Sequence, residues 1–215
     1  KAEPISPFKQ LPTIDASIAP YEVVIENPEA CGRYSGILIE GVKVGPSPAW
    51  LKNKLQSIGA RSINNIVDIT NFILHETGQP LHAFDAAKIQ GKKVVVKKCA
   101  PNSLFTTLDE KERKLTAEDL MICDIEKPMC IAGVFGGLHS GVSATTNRIF
   151  LESAWFENVH IRKTSLHHGL RTDAATRFEK GVDVDGTVKV LLRAAKMIQE
   201  IAGGKCSEVV DVYPN

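Results

Sequence analysis

The sequence predicts an α+β fold, in which mixed strands and helices form one compact module of two intimately packed subdomains, not a doubly wound sheet. Three observations carry this prediction. Short β-branched runs and capped amphipathic stretches are both present, they interleave without βαβ regularity, and no segment repeats. At 215 residues and 43% hydrophobic content the chain can bury a sizeable core.

Residues 1–20 carry Pro4, Pro7, Pro12 and Pro20 with little periodicity and read as a linker or surface arm, leaving 21–215 as the folded module. Tyr21–Ile25 and Tyr34–Val44 are β-branched runs bounded by Asn27-Pro28 and Gly45-Pro46, so both read as strands. Ser47 to Gly59 follows helix grammar: Ser47 as cap, Pro48 at the first helical position, apolar residues at helical spacing, and Gly59 at the end. From Asn64 to His75 the apolar residues recur at three- and four-residue spacing, predicting a second helix that ends near Gly78.

Lys93–Lys98, Leu120–Cys123, Met129–Phe135 and Arg148–Ala154 read as further strands. Phe156–Leu166 and the amphipathic stretch Thr187–Ala202, closed by Gly203-Gly204, read as helices. A last short strand is expected at Val209-Val210-Asp211.

With 26 Lys+Arg against 25 Asp+Glu the net charge is +1, which gives no electrostatic case for tight, autonomous nucleic-acid binding. Five cysteines without a Cys-x-x-Cys pair, in a chain too large to need staples, read as reduced thiols in cytoplasm. Neither a membrane-spanning run nor a signal peptide is visible. The start at Lys1 reads as a segment of a longer polypeptide, with processing after Met removal as the alternative.

Several familiar signatures fail. His75-Glu76 opens a zinc-protease pattern, but Gln79 occupies the position of the second His. Gly133, Gly136 and Gly137 lack the order of a dinucleotide fingerprint, and no Gly-Lys-Ser/Thr follows. Ser140 is one residue out of register for a nucleophile elbow. His167-His168 read as surface histidines, because adjacent side chains diverge. No metal site is expected.

What remains is a series of polar and glycine motifs among apolar residues, costly to bury unless each polar group finds a partner. They are Asn64-Asn65-x-Val67-Asp68-x-Thr70-Asn71, Gly78-Gln79-Pro80-x-His82-x-Phe84-Asp85, and Gly133-x-Phe135-Gly136-Gly137-x-x-Ser140-Gly141. Leu151-Glu152-Ser153-Ala154 and Arg171-Thr172-Asp173-Ala174-x-x-Arg177-Phe178-Glu179-Lys180-Gly181-Val182-Asp183 follow. Singly, each has a bland explanation: Gly136-Gly137 as a tight turn, Glu152 as an ion-paired strand residue, Arg171-Thr172-Asp173 as a solvated helix start, His82 as a satisfied core or capping group. Asp68 and Asp85 fit capping and ion-pairing roles.

In this order, from about Cys31 to Asp211, the motifs resemble the tRNA-editing module of the beta subunit of bacterial phenylalanine-tRNA ligase. The resemblance implies hydrolysis of tyrosine wrongly esterified to tRNA(Phe), a need that follows from physics: an apolar pocket cannot strongly reject an isostere that merely adds a hydroxyl. Matched position by position, it implies that Glu152 accepts the tyrosine hydroxyl and that His82, Asn71, Thr70 and Arg61 line the hydrolytic side. Gly136, Thr172 and Ala174 match positions that shape the floor and the room for the ring. No side chain reads as a nucleophile backed by a base, so a positioned water is expected to attack, with His82 orienting or deprotonating it.

Editing so implied needs no cofactor, ATP and magnesium belonging only to the parent synthetase. The implied partners are the tRNA(Phe) acceptor end, tyrosine, the remaining domains of the beta subunit and the catalytic alpha subunit, with no membrane. A structural or RNA-docking module without hydrolysis is the alternative. A free-standing trans-editing protein fits the weak net charge and the start without Met less well.

Overall fold

The computed structural model describes Ser6 and residues 8–214; the remainder of the expected arm, with Pro4 and Pro7, lies outside the described residues. Phe8–Pro20 runs without helix and joins the body at an isolated bridge between Ile14 and Cys206, where the Asp15 amide donates to the Cys206 carbonyl at 2.8 Å.

The first half contains β1 (Glu22–Ile25), β2 (Cys31–Glu40), helices α1 (Ala49–Ser57) and α2 (Asn65–Thr77), and strands β3 (Leu81–Asp85), β4 (Lys93–Lys98), β5 (Leu104–Thr106) and β6 (Glu112–Lys114). Then come β7 (Leu120–Cys123), β8 (Pro128–Ile131), β9 (Phe135–Gly136) and β10 (Arg148–Phe156), helices α3 (Asn158–His168), α4 (Asp173–Phe178) and α5 (Thr187–Ala202), and short strands β11 (Lys205–Cys206) and β12 (Val210–Val212). One sheet has the order β11-β2-β10-β3 with β12 also on β2; the other runs β1-β4-β7-β8-β9; β5 and β6 form a separate hairpin. Among the named strands of the described residues only β1 and β4 pair in parallel, so the fold is α+β and not doubly wound.

The first sheet is buried on both faces, which explains the nearly continuous apolar run along β10. Ile149 and Leu151 of β10, with Ile37 and Ile39 of β2, face a core formed with Leu51, Leu55, Ile66, Ile69 and Ile73 of α1 and α2 and with Leu191, Ala194 and Ile198 of α5. Phe150 and Ala154 alternate to the opposite face, where Tyr34 and Phe84 join them against Val94, Val96 and Ile122 of the second sheet. Three layers result: helices, first sheet, second sheet.

α2 obeys its sequence signals closely. The Asn64 side chain accepts from the amides of Ile66 and Val67, and Gly78 ends the helix at φ 81°, a left-handed conformation that glycine adopts without steric penalty. Buried Asp68 binds the segment ahead of it, accepting from the Ile63 amide at 2.7 Å and from the hydroxyls of Ser47 and Ser62. Asp85 likewise caps the next turn through the Ala87 amide at 3.1 Å and accepts from Thr146 at 2.7 Å.

Four local expectations are corrected. Ser47 does not cap α1: its hydroxyl turns to Asp68, and Pro48 takes the cap position without a side-chain bond. Met129–Phe135 is not one strand, because Gly133 at φ 65° makes a turn that folds β9 back on β8. Phe156 ends β10 rather than starting α3, whose cap is the Glu157 carboxylate, accepting from the His160 amide. The strand after Tyr34 stops at Glu40, since Gly41 adopts φ 79°.

The close contact between neighbouring strands of the first sheet yields a stability prediction. A Cβ on Gly36, in the middle of β2, would stand 2.2 Å from Phe150 Cζ, whereas one on Gly45 meets nothing within 4 Å. Gly36→Ala should therefore destabilise the fold by about 1–3 kcal/mol through overpacking, and Gly45→Ala by under about 0.5 kcal/mol. Urea midpoints for the two variants check this, and equal midpoints would contradict the packing described.

Candidate functional site

Register assembles the site. β3 pairs antiparallel with β10 so that His82 stands opposite Glu152 and Phe84 opposite Phe150, all four on the face toward the second sheet. Beyond β3 a cavity of about 430 Å³ opens among α2, β3, β10, the β8–β9 turn and the start of α4. Thr70, Asn71, His82, Gly136, Glu152, Thr172 and Ala174 all line it. Arg61 does not: it is exposed in the loop between α1 and α2 and is absent from the cavity wall.

Glu152 is a buried carboxyl at the centre of this arrangement. Its Oε2 accepts from the Tyr34 hydroxyl at 2.6 Å, and its Oε1 has no protein partner among the described residues. Burial pushes the Glu152 carboxyl up to about 7, opposed only partly by the Tyr34 hydrogen bond. It is not an ion-paired strand residue, for no cation comes within 4 Å among the described residues.

His82 is held down at about 4 by burial alone. Its ring meets Phe84 edge-on at 4.4 Å, and Nε2 is enclosed without a protein partner among the described residues. Nε2 is shut off from solvent, so any work on a cavity water falls to the other ring nitrogen, Nδ1, which makes no protein hydrogen bond among the described residues and, in a neutral imidazole, is able to accept a proton from water or to orient it. Gly136 makes this possible sterically: a Cβ there would stand 3.1 Å from His82 Cε1 and 2.9 Å from Leu108 Cδ1. Gly136 thus serves as a β9 residue in close approach, not as part of a tight turn with Gly137.

Thr172 caps α4, accepting from the Ala175 amide at 3.0 Å while its hydroxyl donates to the Val134 carbonyl at 2.9 Å. The hydrogen bond to Val134 fixes the β8–β9 turn to the helix that presents Ala174. Thr70 spends its hydroxyl on the Val67 carbonyl at 2.8 Å, so it shapes the wall, whereas the Asn71 amide makes no side-chain hydrogen bond among the described residues. Gln79, one turn away, donates to the Ala154 carbonyl at 2.8 Å and ties the start of β3 to β10.

Two lining or supporting residues carry no sequence signal of their own. Leu108 reaches the cavity from the turn of the β5–β6 hairpin, pinned by its amide to the Gly136 carbonyl at 3.0 Å. Tyr34 reads as an ordinary strand aromatic until the register brings it diagonally beside Glu152. His168, expected at the surface, is corrected: its side chain is buried against Asp119 with Nε2–Oδ2 at 2.8 Å, while His167 is exposed. No cluster of three or more metal-ligating side chains occurs among the described residues, and no described helix is long and apolar enough to cross a membrane.

A family model described as the B3/4 domain matches residues 30–203. The chain belongs to the B3/4 domain family. It is 56% identical over 192 residues to the phenylalanine-tRNA ligase beta subunit of Bacteroides thetaiotaomicron, covering 89% of this chain and 23% of that protein. The same subunit of Porphyromonas gingivalis is 56% identical over 212 residues, covering 97% of this chain and 26% of the relative. An N-terminal fragment of the phenylalanyl-tRNA synthetase beta subunit from Pyrococcus horikoshii superposes with a TM-score of 0.58 at 12% identity, over 96% of this chain and 58% of that one, a likeness of fold. The chain spans about a quarter of the length of the curated relatives it matches.

The buried carboxyl gives this B3/4 domain a defined pH response. Glu152 binds its proton more tightly folded, near 7, than at the ordinary 4.5, so its contribution to stability is complete below 4.5 and lost as pH rises through 7. His82 acts oppositely, its contribution present above 6.5 and lost as pH falls through 4. Glu152→Gln removes the first dependence alone. From pH 5 to 8 the unmodified domain should lose about 2 to 3 kcal/mol relative to that variant, read as a widening gap in thermal or urea midpoints, and a gap that stays constant would contradict the buried carboxyl.

Proposed function

We propose that this B3/4 domain is the editing module of a phenylalanine-tRNA ligase beta subunit and hydrolyses tyrosine wrongly esterified to tRNA(Phe). The observation that carries the reading is the convergence on one cavity of a hydroxyl acceptor, Glu152, and a neutral imidazole, His82, among apolar walls from Val67, Leu74, Val134 and Phe178. Ring-sized apolar walls welcome both phenylalanine and tyrosine. Only tyrosine offers a donor to the free oxygen of Glu152, and a buried carboxyl left unpaired costs about 1–3 kcal/mol.

In this reading a water held by His82 adds through its oxygen to the ester carbonyl carbon while the imidazole takes its proton. The tetrahedral intermediate then collapses, the ester C–O bond breaks, and the terminal ribose hydroxyl leaves with the proton that His82 returns. Asn71, whose amide is otherwise unengaged, is the available donor to the developing oxyanion. Because the ester is already activated, placement and oxyanion stabilisation suffice, and no cofactor is required. ATP and magnesium serve the parent synthetase. The partners are the tRNA(Phe) acceptor end, the remaining beta-subunit domains and the catalytic alpha subunit, in the cytoplasm.

Calorimetry with the free amino acids tests recognition: tyrosine should bind this chain at least about tenfold more tightly than phenylalanine. Deacylation assays separate the roles. His82→Ala should lower turnover by about a hundredfold or more, whereas Glu152→Ala should reduce discrimination by tyrosyl identity and leave the chemical step comparatively intact. Equal affinities together with no hydrolysis would leave the structural or RNA-docking alternative in place.

A net charge of +1 leaves little to attract a phosphate backbone, so most of the grip on tRNA should come from the rest of the assembly. The full synthetase should therefore deacylate Tyr-tRNA(Phe) far more efficiently than the isolated chain at matched salt, through effective concentration and with an unchanged pocket. Comparable efficiency would mean that this module carries its own tRNA surface.

A further inference from the structure

We infer that Tyr34 is a positioning residue for substrate selection: its hydroxyl holds one oxygen of Glu152 and so presents the other to a phenolic ligand. This inference rests on the reading of the cavity as a tyrosine-selective site. Tyr34 touches no part of the cavity wall. It is fully buried on β2, in the core between the sheets, with its hydroxyl 2.6 Å from Glu152 Oε2.

A lone carboxyl on a glutamate side chain swivels about its last bond, and a terminal torsion of this kind has only broad preferences. The Tyr34 hydroxyl removes that freedom. By donating to Oε2 from the side away from the cavity, it turns Oε1 toward the space the ligand occupies, where no described protein group competes for it. It also supplies a hydrogen bond that only the ionised carboxylate accepts fully, opposing the burial that favours the neutral acid.

The register makes this arrangement unusually rigid. Tyr34 pairs with Ala154 across β2 and β10, two residues along from Glu152, so the contact is a diagonal one on the shared face. The intervening position opposite Glu152 on β2 is Gly36, whose missing side chain leaves its space to the Phe150 ring. No bulky neighbour on β2 therefore separates the Tyr34 ring from the carboxyl. A carboxyl so fixed has one acceptor face occupied and one available, which suits a single phenol donor and gives phenylalanine nothing to pair with it.

The test uses the 215-residue chain and free tyrosine and phenylalanine as probes, with affinities measured by calorimetry from pH 5.5 to 8.5 for the unmodified chain, Tyr34→Phe, Glu152→Gln and the double variant. Tyr34→Phe keeps the buried ring. It should weaken tyrosine about tenfold while changing phenylalanine less than about twofold, and should move the pH at which tyrosine preference appears upward by about one unit. In the Glu152→Gln background the same substitution should change neither affinity, because Tyr34 acts through the carboxylate. A merely structural role would lower both affinities together and leave the pH profile where it was.

Unchanged preference and pH profile in Tyr34→Phe, with preference intact in the unmodified chain, would overturn the inference and spare the site reading. No preference in the unmodified chain would overturn both. Should Tyr34→Phe fail to fold, the double variant, which removes both the phenol donor and the carboxylate acceptor, decides the matter: tyrosine affinity equal to that of Glu152→Gln alone supports the inference, and a lower one overturns it.

Discussion

The pairing of β3 with the middle of β10 is the constraint on which the rest depends. Side chains alternate along a strand, so a slip of one residue would turn His82 or Glu152 toward the helix layer and put a neighbour without a titratable group, Leu81 or Ala83, or Leu151 or Ser153, in its place. The slip is prevented at both ends of β3. At the start the Gln79 side-chain amide donates to the Ala154 carbonyl, and at the end the Asp85 amide donates to the Ser140 carbonyl while its carboxylate accepts from Thr146. The two apolar cores on either face of β10 then select the same register, because Phe84 and Phe150 fit one side and Ala83 and Leu151 the other.

This constraint explains why the polar motifs were legible as a group and poorly legible singly. α2 and α5 could be read residue by residue, since capping and helical spacing are local properties. The lengths of β2, β8 and β9 could not, because backbone conformations at Gly41 and Gly133 interrupt apolar runs that look continuous. β3 was concealed by its own composition: Leu-His-Ala-Phe-Asp has little β-branched content, and it becomes a strand by pairing with β10.

The candidate site shows the same division. Motif matches drew attention to His82, Glu152, Thr70, Asn71, Gly136, Thr172 and Ala174, which share one cavity wall. Arg61, matched in the same way, stands in an exposed loop, because a loop residue is not fixed by alternation or helical phase. Leu108 and Tyr34 escaped notice for the opposite reason. Their importance comes from long-range contacts, across 28 and 118 residues of chain to Gly136 and Glu152, that no local pattern encodes.

Burial acts on the two titratable groups in opposite senses, and this is the chemical meaning of the layered architecture. Removing water raises the Glu152 carboxyl to about 7 and lowers the His82 imidazole to about 4, so near neutral pH the cavity is close to uncharged. An ion pair between them would have reversed both shifts and consumed both groups. Their separation on adjacent strands, with Glu152 engaged by Tyr34 and His82 packed on Phe84, keeps one carboxyl oxygen and one imidazole nitrogen unspent. A polar group in that condition is expensive to leave alone and therefore discriminating: the ligand able to satisfy it gains what an isosteric competitor must forgo.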